Sequence, residues 1–394
     1  MIKFYLHIKF WMPIVILVLI AILLEVLLRK GVWESLVNPN SLLGTVVYRE
    51  KAINEFGLEN IHWITVGDSR TDWGLNHRTI LEMQKTNGIN HLRMSFAGSD
   101  FMSLQATIDW SIVNMPNLQG IMLGVAEDSF GHFSSVKKQY NVAWPFRVYF
   151  DYKTYTYFNS PYKLFSFVSR NALYVYYKDI KNFIFNVHKR LNKINMYLNE
   201  KHKNIFRFNR DLQGNICTHQ LDSVQECYET AKQLSNSTKK LKGAENFIVN
   251  VCNTSSTIYR AKNNLPNYSL PDDTKNTIIK NWKSLLKKTL INGVNLKVVI
   301  LPEHSLFDYT VKPANANLIL QEVFKGFLEK DNFEILDLRN LFKNSNNKEC
   351  SLFKDPLHYN NKGKSLITEK IVASSTNNKK TATKPDRVTR KNFE

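Results

Sequence analysis

Cysteine is scarce in this chain, and the few present do not group. Cys217, Cys227, Cys252 and Cys350 are the only four in 394 residues, and none falls into the Cys-x-x-Cys spacing of a structural zinc site. Cys217 and Cys227 would close a loop in an oxidising compartment, but four thiols are equally compatible with the spacing. Metal-ligand clusters and a phosphate-cradling glycine loop are also missing, so no metal and no cofactor is expected. Acidic residues are few: 34 Asp and Glu stand against 53 Lys and Arg, a net charge of +19. Residues 131–284 carry +14 of that excess, and Lys181–Arg210 holds eight basic side chains against the single acid Glu200. Such a surface suits anionic partners such as phospholipid headgroups, acidic glycans or nucleic acid, or it is a set of solvated helix faces. No nucleic-acid-binding motif accompanies it, so nucleic acid is not an expected partner. Internal repeats are absent.

Long apolar runs are absent as well, with one exception. Phe10–Leu28 has nineteen positions and one charge, Glu25, which matches the hydrocarbon thickness of a bilayer. Arg29-Lys30 closes the run where a cleaved leader would show a small-x-small site, so an uncleaved anchor is expected. Lys3 and Lys9 precede the run, so basic residues do not orient it. With a single span, the body of the protein lies on one side of the membrane.

The remainder reads as alternating strands and helices. Short strands are predicted at Ile61–Val66, Asn90–Phe96, Leu118–Val125, Leu296–Leu301 and Phe333–Leu338. Helical spacing marks Arg78–Gln84, Ser103–Ile112, Thr274–Leu290 and Gly363–Val372. This rhythm predicts a parallel sheet with helices on its faces, whose ligands bind beyond the carboxyl ends of the strands. The α/β unit is expected at residues 60–130 and 285–373. Residues 1–30 form the anchor, and 31–59 a solvated connection that leads into a helix. An inserted helical lid or subdomain occupies 131–284. It has 15 Phe, Tyr or Trp residues in the 38 positions Tyr140–Tyr177, helix-like spacing over Tyr162–Leu198, and a polar, turn-rich stretch at Asn250–Ser269. Residues 374–394 read as a disordered basic tail.

Two short motifs carry chemistry. Gly67-Asp68-Ser69 ends the first strand and delivers a serine to the mouth of a helix. Lys354–Gly363, KDPLHYNNKG, places Asp355 three residues before His358. A serine hydroxyl needs a base to become nucleophilic. His358 is the candidate base, and Asp355 would fix its tautomer. The Ser69 backbone N–H and that of Gly98, at the end of the second strand, are the candidate oxyanion donors. The bland alternatives are a helix-capping serine and an ordinary Asp-Pro helix start.

These blocks, in this order, resemble the SGNH (GDSL) hydrolase superfamily. That resemblance implies a flavodoxin-like three-layer α/β/α fold with a parallel sheet. It also implies Ser69 as nucleophile, His358 as base, Asp355 as orienting acid and Gly98 as oxyanion donor. The family's third block, Gly-x-Asn-Asp, is replaced by Gly124-Val125-Ala126-Glu127-Asp128, which lacks the donor asparagine. An ionised carboxylate there would repel an oxyanion, so a smaller hole, or one completed by the insertion, is expected. With its anchor, the chain resembles the membrane-bound branch that includes alginate and cellulose acetylation proteins and the teichoic-acid D-alanyl transfer protein. The branch implies a bacterial cytoplasmic-membrane protein whose catalytic domain faces the periplasm or exterior. It would act as an esterase or acyltransferase on O-acetyl groups of an envelope glycan, with a polytopic membrane acyltransferase as partner. The alternative is an inactive SGNH-like assembly factor that binds an envelope polymer or such a partner.

Overall fold

A computed structural model describes residues 2–130 (with scattered exceptions between 40 and 100), 172–201, most of 223–253, 268–305, 312–343 and 349–377. Most of the aromatic run, the stretch 254–267 and the residues after 377 lie outside the described residues, as do the expectations placed on them. The chain opens with α1 (Ile2–Arg29). Its Trp11–Arg29 part is long and apolar enough to cross a membrane and packs against little else.

The α/β elements then alternate. In order they are β1 (Trp63–Gly67), α2 (Ser69–Gly74), α3 (His77–Lys85), β2 (His91–Arg93), α4 (Phe101–Asn114) and β3 (Gly120–Val125). Among the described residues, the helices that follow are α5 (Ala172–Phe185), α6 (Val187–Lys201), α7 (Val224–Ser235) and α8 (Gly243–Cys252). The sheet resumes through α9 (Asp272–Ile291), β4 (Asn295–Ile300), α10 (Ala316–Phe324), β5 (Phe333–Asp337) and α11 (Asn361–Asn377).

All five strands are parallel, in the order β2-β1-β3-β4-β5. The chain therefore winds one way from β1 to β2 and the other way from β3 onward, which opens a crevice at the carboxyl ends of β1 and β3. Strand side chains alternate between the two faces. Ile121, Leu123, Val298 and Ile300 join Trp282, Leu285 and Leu286 of α9, Ile108 of α4 and Ile319 of α10 in one core. Met122 and Val299 point the other way, into a second core with Ile80, Ile367 and Ile371. Helices thus cover both faces, and the central strands β1, β3 and β4 read as mostly apolar runs.

Four sequence expectations need correction. Helix α9 begins at Asp272, and its Ile278 and Trp282 lie in the main core, so the sheet-packing chain resumes before residue 285. The second core also takes in Cys227, Ala231, Ile248 and Cys252. Helices α7 and α8 therefore belong to the α/β body rather than to a separate insertion. The 31–59 connection is not simply solvated, because Val37, Val47 and Ile53 are buried. The closing helix runs to Asn377, four residues into the segment read as tail.

Cys227 pairs with Cys252, 25 positions on, rather than with Cys217. The choice is set by α7 and α8 packing side by side, which sequence spacing does not reveal. Cys350 is disulfide-bonded as well. Closing a loop of that length restricts the unfolded chain by roughly 3 kcal/mol. Denaturant melts of wild type and a Cys227→Ala/Cys252→Ala variant should differ by about that amount. Coincident midpoints would remove the bond from the stability of the fold.

Candidate active site

The serine is placed by two glycines and one threonine. Gly67 and Gly124 are register partners at the ends of β1 and β3, and a Cβ on either would run into the Thr71 side chain. Their absence lets α2 sit directly on the strand ends, where the Thr71 hydroxyl donates to the Gly124 carbonyl at 3.2 Å. Asp68 caps the helix by accepting from the Arg70 N–H at 2.9 Å. Ser69 is the first residue of α2, 8% exposed at the crevice.

The partner loop arrives from the far end of the chain. An antiparallel bridge between Phe353 and Tyr359 closes it, and the Asn360 side chain caps α11 through the Lys362 and Gly363 amides, each at 3.1 Å. The buried Tyr359 hydroxyl donates to the Pro302 carbonyl at 2.7 Å. Its ring lies so close to Gly74 that a Cβ there would clash. Loop and serine helix are thereby locked together.

His358 Nε2 lies 3.0 Å from Ser69 Oγ, between residues 289 positions apart. On the other side of the ring, His358 Nδ1 lies 2.9 and 3.0 Å from the two Asp355 carboxylate oxygens. Asp355 also accepts from the Leu357 and His358 amides at 3.0 and 2.9 Å. Burial works to raise the Asp355 carboxyl, but the His358 hydrogen bond and those amides outweigh it and hold the group below its usual range. An ionised carboxylate only accepts, so Nδ1 carries the ring proton and Nε2 is left to accept from the serine hydroxyl. Trp73 packs on the imidazole with centroids 4.6 Å apart. The sequence reading did not single it out, although it lies one turn beyond Ser69.

Gly98 occupies a turn just after β2 with φ of +80°, a left-handed conformation that disfavours side chains. That turn is tied to the serine loop, since the Phe96 N–H donates to the Gly67 carbonyl at 3.0 Å. Neither the Ser69 nor the Gly98 amide meets an acceptor among the described residues. Because α2 has only six residues, these individual N–H groups, not a long helix dipole, would face an oxyanion.

The carboxylates of Glu127 and Asp128 have a use the sequence did not disclose. Arg70, 6% exposed, contacts Asp68 at 2.7 Å, Asp128 at 2.7 Å and Glu303 at 3.2 Å. Lys312 reaches Glu127 at 3.1 Å, and Arg339 stands 3.7 Å from it. Asp128 and Glu127 are thus both held in ion pairs. Arg70 directly follows the serine, and Glu303 lies three residues beyond the fourth strand. That adjacency of a cation and several acids at strand ends was the signal available. Burial alone would lower the Arg70 guanidinium, but Asp128, Asp68 and Glu303 together hold it well above its ordinary value.

Burial and the neighbouring Asp128 carboxylate push Glu303 well above the usual glutamate range, against the pull of Arg70 and Lys312. A carboxyl raised in the fold binds its proton more tightly there than in the unfolded chain. Its contribution is complete below the unfolded value of about 4.3 and is lost as pH rises through the folded value. Glu303→Gln keeps an acceptor for the Asp128 N–H, now at 3.0 Å, without needing the proton. Thermal melts from about pH 4 to about pH 9 should therefore fall less steeply in the variant than in wild type. Parallel profiles would show that Glu303 is not holding a proton.

No protein-family model and no curated protein matches this chain. A crystal structure of a Bacteroides fragilis protein of inferred acylhydrolase activity is similar at 9% identity and a TM-score of 0.36, over 84% of this chain and 95% of that one. A likeness of that size carries no argument about activity, which rests on the geometry of the site.

Proposed function

We propose that this chain is a membrane-anchored, SGNH-like serine esterase or acyltransferase that acts on small acyl groups, O-acetyl foremost, of a cell-envelope glycan. The observation that carries the reading is the unbroken Ser69–His358–Asp355 relay of 3.0 and 2.9 Å contacts. Ser69 Oγ attacks the acyl carbonyl while His358 Nε2 takes its proton. The oxyanion faces the Ser69 and Gly98 amides. The tetrahedral intermediate collapses, and His358 returns the proton to the departing oxygen. Water or a sugar hydroxyl, deprotonated by the same histidine, then releases the acyl group. The first nucleophile makes the protein an esterase, the second a transferase.

The strand order 2-1-3-4-5 supports the flavodoxin-like assignment. The apolar α1 supports an anchor, and disulfide bonding supports a body outside the cytoplasm. Acyl transfer with a donor from across the membrane requires a polytopic acyltransferase partner, because one span makes no channel. The competing reading, an inactive assembly factor, is favoured by Glu127-Asp128 in place of the donor asparagine.

A fluorophosphonate probe on the full-length protein in detergent separates the two. Labelling that disappears in Ser69→Ala and His358→Ala is the expected result. A folded wild type that takes no label would favour the assembly factor.

A further inference from the structure

Part of the basic excess is gathered into a small cavity away from the serine. Helices α5 and α6 meet at Asn186, and their corner encloses about 190 Å³ lined by Asn38, Asn182, Asn186, Lys189, Arg190 and Lys193. The lining holds amides and cations but no acid. A whole organic ligand usually fills about 300–1,000 Å³, so the space suits one small charged group.

The floor is rigid. Arg190, 2% exposed, contacts both Asp179 oxygens at 3.0 Å, the Leu36 carbonyl at 3.0 Å and the Asn182 Oδ1 at 2.8 Å. Asp179 in turn accepts from the Trp33 indole at 2.9 Å. Asp179 therefore balances Arg190, while Lys189 and Lys193 have no ion-pair partner among the described residues. They lie four positions apart on α6, where like charges repel, and a bound anion would relieve that repulsion. Ile184 and Phe185, at the same corner, are 64% and 74% exposed.

The corner is also tied to the apolar helix. The Glu25 carboxylate of α1 accepts from the first amides of α5, Ala172 and Leu173, both at 2.8 Å. Trp33, just past α1, packs on Phe183. We propose that this corner binds a single phosphate group, carried by an anionic lipid headgroup or by a soluble phosphate compound. Lys189 and Lys193 hold it against the asparagine amides.

The test uses the full-length chain in neutral maltoside micelles, titrated calorimetrically with inorganic phosphate, short-chain phosphatidylglycerol or short-chain phosphatidylcholine. Lys189→Gln/Lys193→Gln should weaken binding about 30-fold. Lys178→Gln/Lys181→Gln removes the same charge from exposed positions that do not line the cavity, and should leave binding within about threefold of wild type. If both phosphate and phosphatidylglycerol bind and depend on the cavity lysines, the source is any phosphate. Phosphatidylglycerol alone identifies a lipid headgroup, and phosphate alone a soluble compound. Absence of saturable binding, or equal weakening by both double variants, overturns the proposal.

Discussion

Ser69→Ala should lower turnover of an activated acetyl ester such as 4-nitrophenyl acetate by about 10⁴- to 10⁶-fold, with the fold intact by circular dichroism. Ser69 Oγ is the only hydroxyl whose contact with His358 Nε2, at 3.0 Å, is seen among the described residues. Its removal therefore eliminates the covalent route, leaving only what the amides and binding contribute. His358→Ala should cost a similar factor, and the double variant little more, since nucleophile and base act as one unit. Asp355→Asn should also lose on the order of 10⁴-fold, because an amide facing Nδ1 stabilises the wrong tautomer. These are comparisons of kcat/KM at one pH. Were Ser69→Ala to keep more than about a tenth of wild-type activity, another group would be the nucleophile.

Arg70→Met should destabilise the protein by about 3–5 kcal/mol, the usual cost of removing one partner from a buried ion cluster. Surface pairs are worth far less, and the distinction matters here because Arg70, Asp128 and Glu303 are all nearly inaccessible. Without the guanidinium, the Asp68 and Asp128 carboxylates share one end of the sheet with Glu303 and lose the cation that each of the three contacts. A drop of roughly 10 °C in the melting midpoint at neutral pH is expected. The sign with pH follows from Glu303: Arg70 is one of the cations that pull its folded value down, so in the variant that value rises further and lowering the pH restores stability relative to wild type. Differential scanning fluorimetry at about pH 5 and pH 7 reads both effects. A midpoint within about 2 °C of wild type at both would show that the cluster contributes little.

Legibility varied with the range of the interaction. The central strands β1, β3 and β4 were visible because both faces of the sheet are covered, which turns each into a mostly apolar run, whereas the edge strands β2 and β5 carry polar residues. Helix α10 was missed: only nine residues long, it offers little more than two turns of periodicity. The aromatic wealth read over Tyr140–Tyr177 lies mostly outside the described residues. By contrast, the helical spacing read over Tyr162–Leu198 corresponds, from residue 172 on, to two helices broken at Asn186.

The sequence by itself determined where a serine meets a helix, where an Asp and a His three residues apart precede another, and which stretch is apolar enough for a bilayer. Each is a local pattern, set by side-chain type and spacing within about twenty residues. Only the tertiary structure decided that Cys227 takes Cys252, that Val37, Val47 and Ile53 are buried, and that Arg70 gathers carboxylates from three strand ends. Those outcomes depend on strand order and register, which bring Glu303 against Arg70 across 233 positions. No local pattern announces that an arginine, normally a surface residue, will be enclosed beside the serine.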